Sequence, residues 1–400
     1  MSGSRARRLA ARRAERRRAA RRGAMVAVAS VVVAVGAVTG TMSAAGGEAG
    51  PDRARPVATA SAGPEPPSAA PSSPAVPSPS SSPSGARPPS AGASPGPGPS
   101  VSRTTGPRRP APVPTGLYLH PESRVLDWVR ANPDDPRNAV IASRIAGRPA
   151  AVWFTDRDPD TLTPRVRAVT AGGAAQGRVP VLVPYAIPGR DCGGHSRGGT
   201  PDLDAYDAWI DRFAAGLGDG EVIVILEPDS IAQSGCLSAG ERADRFASLA
   251  RAGRVLKEAD PRARVYFDAG HSGWNAPAQQ ADWLRQAGAA SAASSDGVFS
   301  NVSNFHATDD EIGYVRAVLD VLGGPPGLGA VIDTSRNGAG APADGAWCDP
   351  AGRKLGRPPT LRTGEARIDG YLWVKLPGES DGCAGAPGTF TPSYAYDLAR

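Results

Sequence analysis

EVIVILEPDS (221–230) is the stretch on which the reading of the whole chain turns. Its five consecutive aliphatic residues, Val222–Leu226, have the length and branching of a strand buried on both faces. Such strands belong to parallel sheets covered by helices on either side. The run stops directly on Glu227-Pro228-Asp229. Carboxylates at the end of a buried strand are costly unless something uses them, so this tripeptide is expected to face a cleft rather than a core. Pro228 fixes the backbone beside Asp229 and the preceding strand is fully apolar. The Asp229 carboxyl is therefore expected to hold its proton unusually well, which suits a general acid.

Outward from this strand, short apolar runs alternate with helix-like segments. The runs are AVWF (151–154), VPVLVPY (179–185), VIVIL (222–226), RVYFD (264–268), GVFSNVS (297–303), GAVID (329–333) and YLWVK (371–375). Seven strand–helix repeats predict an α/β fold with a parallel sheet closed into a TIM-like β/α barrel, incomplete or distorted because only seven strands are convincing. A parallel barrel gathers the C-terminal ends of its strands on one rim, where active sites sit. The loops that would meet there read AIPGRDCGG, EPDS, AGHSGW, DTSRNG and LPGESDGC, all but AGHSGW carrying acids and that one following Asp268. Each acid also has a structural reading: Asp381-Gly382 as a turn, Asp333 and Asp268 as caps.

Aromatic residues follow the same pattern. Trp153 and Tyr185 lie at strand ends, and Trp274 and Trp347 lie in polar, Gly-rich loops. Acids combined with flat aromatic faces, without metal-ligand spacing or a phosphate-cradling loop, imply glycoside hydrolysis with no cofactor and no metal.

The termini of the chain differ in character. Residues 5–22 hold ten Arg and one Glu, and residues 25–45 carry no charge. Residues 1–48 thus read as a secretory signal peptide, with a retained membrane anchor as the alternative. Both place the remainder outside the cytoplasm. Residues 49–114, rich in Pro, Ser, Ala and Gly, read as a disordered, extended linker. These two segments carry a net charge of +12, so a whole-chain net of +6 leaves −6 on residues 115–400. An acidic domain argues against nucleic acid as a partner. The four cysteines, Cys192, Cys236, Cys348 and Cys383, all fall in this domain and read as two disulfides in an exported protein. Spacing permits three pairings, of which nearest-neighbour closure is the simplest; zinc is the rival, without a C-x-x-C pair to support it.

The motifs VPYAIPGRDCGGHSRGG (183–199), ILEPDSIA (225–232), YFDAGHSGW (266–274), DTSRNG (333–338), WCDP (347–350) and WVKLPGESDGC (373–383) resemble those of glycoside hydrolase family 6, the family B cellulases, over essentially all of residues 115–400. The resemblance implies a distorted seven-stranded barrel that cleaves β-1,4-glucans with inversion. It assigns Asp229 as catalytic acid, Asp191 as the carboxylate that supports the acid and handles the catalytic water, and Asp381 as proposed general base. Asp268 becomes a further acid of the reaction site, and Tyr185 the tyrosine crowding the distorted sugar. Trp153, Trp274 and Trp347 match sugar-stacking positions, and His271, Lys375 and Glu379 match polar glucan contacts. Asn304 joins that substrate-binding set. The resemblance also pairs Cys192 with Cys236 and Cys348 with Cys383. Only 34 residues separate the latter pair and no large insertion is evident, so an open cleft and an endoglucanase are expected. A chain-end cellobiohydrolase is the alternative, and a catalytically inactive glucan binder a remoter one. No separate carbohydrate-binding module is evident, and a monomer is expected.

Overall fold

The computed structural model describes residues 116–400 except Arg157 and His195, all within the second of the two units into which the chain divides after Ser100. The signal-or-anchor segment and the linker lie outside the described residues. No helix among the described residues is long and apolar enough to cross a membrane.

Seven parallel strands run in sequence order: β1 (Val152–Phe154), β2 (Val181–Pro184), β3 (Val222–Leu226), β4 (Ala263–Asp268), β5 (Gly297–Ser300), β6 (Gly329–Asp333) and β7 (Ile368–Leu372). Helices return the chain between them: α1 (Arg124–Ala131) and α2 (Asn138–Ile141) before β1, then α3 (Pro159–Ala175), α4 (Leu203–Ala214), α5 (Ala239–Ala259), α6 (Pro277–Gln286) and α7 (Thr308–Leu322), with α8 (Pro392–Ala399) after β7. Capping chemistry starts several of them. Asp202 accepts from the Ala205 amide at α4, and Ser238 with Glu241 forms a full capping box at α5.

β3 shows why the strands read as uniformly apolar. Val222, Val224 and Leu226 pack outward among the helices, while Ile223 and Ile225 fill the barrel interior with Val181, Val183, Tyr266, Phe299 and Val331. Among the described residues no strand ladder joins β7 to β1. A single main-chain bond, Ala151 N to Trp373 O at 2.9 Å, crosses that seam. The barrel is therefore the incomplete one expected.

Two strand expectations need correction. β7 ends at Leu372, three residues before the expected Lys375, and begins at Ile368. Its Asp369 is tolerated because Tyr266 donates to it at 2.8 Å, an arrangement that a local reading of IDGYL takes for a turn. β5 stops at Ser300, because Asn301 and Ser303 adopt left-handed backbone (φ 65° and 61°). Both shifts move polar residues out of the sheet and onto the rim.

Candidate active site

A cleft of about 890 Å³ crosses the rim formed by the C-terminal strand ends. Tyr185, Asp191, Asp229, Asp381, Trp153, Trp274, Trp347, His271, Lys375, Glu379 and Asn304 all line it. Asp268 does not. It lies beneath the cleft, 1% exposed, with its oxygens taken by the amides of Ile231 (3.0 Å), Ala232 (2.8 Å) and Gly270 (2.9 Å). Its contribution to the site is to hold the turn that carries Asp229.

The rim backbone is strained where the acids sit. Of eight non-glycine residues with left-handed backbone among the described residues, seven are in rim loops: Asp191, Cys192, Glu227, Asp229, Asn301, Ser303 and Asp349. Such conformations cost on the order of 1–3 kcal/mol each and persist only where surrounding contacts over-determine them. The expectation that Glu227 faces the cleft is corrected here. With φ at 51° its side chain turns inward, fully buried, and accepts the amides of Ala186 (2.9 Å) and Ile187 (3.0 Å) from the β2 loop. Asp229, with φ at 68°, turns to the cleft.

Burial pushes the Asp229 carboxyl well above the ordinary carboxylate range. The Asp268 and Asp191 carboxylates push the same way, and Lys375 draws it back. A carboxyl that keeps its proton is a donor in waiting. Asp191 sits beside the Cys192–Cys236 disulfide and is held by the Ser196 amide at 2.7 Å and Gln233 Nε2 at 3.4 Å.

Asp381 is differently placed. Buried Arg336 grips it with Nη1 to Oδ2 at 2.7 Å and Nη2 to Oδ1 at 3.0 Å. Lys375 Nζ lies 3.3 Å from Oδ1, and the Asp349 amide donates to Oδ2 at 3.2 Å. Oδ2 thus accepts two hydrogen bonds, and Oδ1 accepts one beside the Lys375 ammonium, whose own hydrogen bond goes to Ser380 O. Asp349 secures this loop in turn. Burial alone would raise its pKa, but the Ser380 hydroxyl and the amides of Ala384, Asp381 and Cys383 outweigh that and hold it down to about 2. The Cys348–Cys383 disulfide closes the same segment. Both disulfides follow the nearest-neighbour pairing, and the zinc alternative is set aside because all four cysteines are consumed.

The aromatic lining divides by exposure. Tyr185 is buried between the Trp153 edge (5.2 Å) and the Arg190 guanidinium (4.3 Å). Trp153 anchors its indole N–H to Val374 O at 2.8 Å. Trp274 and Trp347 are exposed. His271 stacks on His306 at 4.2 Å, and burial, with the neighbouring imidazole, pushes its pKa down to about 4. A neutral imidazole there can donate and accept, as sugar hydroxyls require. Among the described residues no group of three or more His, Cys, Asp and Glu side chains is placed to hold a metal.

Sequence reasoning missed Arg336, Asp349, His306 and Glu311. Glu311, on the first turn of α7, is buried and accepts the Ser272 amide at 2.8 Å, fixing the loop of His271 and Trp274. The string DDE at a helix start reads as ordinary capping, so nothing local marks it.

A cleft-facing acid of raised pKa among further acidic side chains, on an aromatic-lined rim of a parallel β/α barrel, is the arrangement of a glycoside-hydrolase site. The model of Glycosyl hydrolases family 6 matches residues 115–396. Endoglucanase 1 of Streptomyces sp. (strain KSM-9) is 49% identical over 288 residues, covering 72% of this chain and 79% of that protein. Endoglucanase A of Thermobispora bispora is 47% identical over 284 residues, covering 71% of this chain and 61% of that protein. The solved structure of the endoglucanase Cel6 from Mycobacterium tuberculosis, in complex with a thio-linked cellobioside, superimposes with a TM-score of 0.65 at 40% identity, covering 71% of this chain and 96% of that one. The chain belongs to glycosyl hydrolases family 6.

Proposed function

We propose that this enzyme cuts internal β-1,4-glucosidic bonds of cellulose or a related β-glucan, with Asp229 as proton donor. The observation that carries the reading is Asp229 itself, a cleft-facing carboxyl whose pKa burial and two acidic neighbours raise. Asp229 protonates the glycosidic oxygen as the bond breaks. Activity therefore falls as pH rises through the raised pKa and the donor is lost. A water attacks the opposite face of the sugar, so the product is inverted. Asp191 takes up the proton of that water, directly or through a second water. Asp381, bound by Arg336 and paired with Lys375, holds both cations in register beside the glycone sugar and supplies negative charge to the oxocarbenium-like transition state. Tyr185 crowds the ring, and the indoles of Trp153, Trp274 and Trp347 stack on neighbouring sugars with His271, Lys375, Glu379 and Asn304 on their hydroxyls.

Endo action is supported by the exposure of Trp274 at 36% and Trp347 at 52%, since a roofed tunnel would bury such rings. Two closed disulfides and the N-terminal sequence pattern support work outside the cytoplasm.

The test follows viscosity and reducing ends together on carboxymethyl-cellulose, with Asp229→Asn alongside. A steep viscosity drop at few new ends is expected, and a loss of about 10²–10⁴-fold in the variant. Reducing sugar released at constant viscosity would contradict endo action. Near-wild-type activity in the variant would contradict the acid.

A further inference from the structure

From residues at the β1/β7 seam, we infer an additional sugar-binding subsite that extends the cleft past Glu379. The inference rests on the β-glucanase reading above. The strand order places the seam across the barrel from β4, so the cleft has two ends. One carries His271 and Trp274 after β4. The other is lined by Leu119, His120, Glu122, Arg124, Arg148 and Glu379. It is anchored at the seam: Val125 packs with Trp373 and Leu376, and Arg124 Nη1 donates to Gly388 O at 2.5 Å.

Three observations point to a ligand at this end. Only four large hydrophobic side chains are exposed among the described residues, and three of them, Leu119, Trp274 and Trp347, line this one cleft. Two belong to the expected sugar-stacking set, and Leu119 repeats the device at the seam. His120 holds Nδ1 buried without a hydrogen-bond partner, a polar atom whose desolvation nothing in the protein compensates. The Arg148 guanidinium makes no hydrogen bond or ion pair among the described residues, although it lines the cleft; only its main-chain amide is bonded, to Ile145 O.

The chemistry selects the ligand class. A sugar ring presents an apolar face flanked by vicinal hydroxyls that both donate and accept. Leu119 offers an apolar surface, Arg124 and Arg148 offer donors, and the Glu122 and Glu379 carboxylates offer paired acceptors. Guanidinium and carboxylate charges balance, so a neutral glucosyl unit fits better than an anionic substituent.

The test compares the full-length enzyme with its His120→Ala/Arg148→Ala double variant on cello-oligosaccharides from cellotriose to cellohexaose, recording kcat/KM and cut position for each. Both side chains are partly exposed, so the variant is expected to fold. For the longest substrates kcat/KM should fall about tenfold, the scale of one or two lost hydrogen bonds. For the shortest the loss should be clearly smaller, and the preferred cut position in the longer ones should move by one sugar. Wild-type length dependence and cut positions in the variant would overturn the subsite. So would an equal loss at every length, which signals a general structural effect. If the wild-type enzyme cuts none of the series, the β-glucanase reading fails first and the subsite falls with it.

Discussion

Glu227 and Asp229 are two residues apart and do opposite things. Both have raised pKa values caused first by burial, yet one is sealed into the protein and the other opens to the cleft. The sequence marks the tripeptide as costly and therefore used. It does not show which acid is used for what, because that depends on two left-handed residues around Pro228 and on the Ala186 and Ile187 amides, 41 and 40 positions upstream in the chain. Glu227 gives the sharper thermodynamic prediction. Burial raises its pKa to about 7, with the Ala186 and Ile187 amides opposing, against an ordinary 4.5. Between those values the native state keeps a proton that the unfolded chain sheds. The stability tied to Glu227 is therefore complete below about pH 4.5 and is lost as pH rises to about 7, a fall of about 3 kcal/mol. Glu227→Gln should flatten that slope in urea unfolding measured across the window. Equal slopes in both proteins would show that Glu227 titrates normally.

At the scale of elements, the strands were legible wherever burial on both faces left an unbroken aliphatic run, as in β3 and β6. β7 was legible only at its C-terminal end, within YLWVK, because Asp369 and Gly370 interrupt the run before it and the partner of Asp369, Tyr266, comes from a distant strand. The rim loops hide more. Their acids converge as the barrel argument requires, but several act as acceptors for amides of a neighbouring loop: Glu227 for residues 186–187, Asp268 for 231–232, Asp333 for 303 and 375, and Asp349 for 381–384. A loop network of this kind converts local strain into fixed positions for Asp191, Asp229 and Asp381. It predicts that Asp349→Ala, though remote from the bond cleaved, leaves the amides of Asp381, Cys383 and Ala384 unpaired. The expected result is a stability loss of about 1–3 kcal/mol in thermal or urea unfolding together with at least a tenfold loss in kcat. Lower stability with wild-type kcat would show that Asp349 does not set Asp381.

The described residues form a half-closed barrel, with no strand ladder across the β1/β7 seam. Architecture and the position of the working rim followed from strand–helix alternation alone, since parallel strands put their C-terminal loops together whatever their detailed sequence. What alternation could not supply was division of labour on the rim. Asp268, expected at the reaction site, supports it from below, and Asp381 is bound by two cations instead of standing free. In the proposed mechanism water reaches the sugar from the face opposite Asp229, and its proton leaves through a relay. Stereochemistry reports that geometry directly. Proton NMR in the first minutes of cellohexaose hydrolysis should show the α-anomer of the newly formed reducing end, with the β-anomer growing in later by mutarotation. A β-anomer formed first would contradict the account, because it requires a covalent intermediate and a nucleophilic carboxylate where a water is proposed.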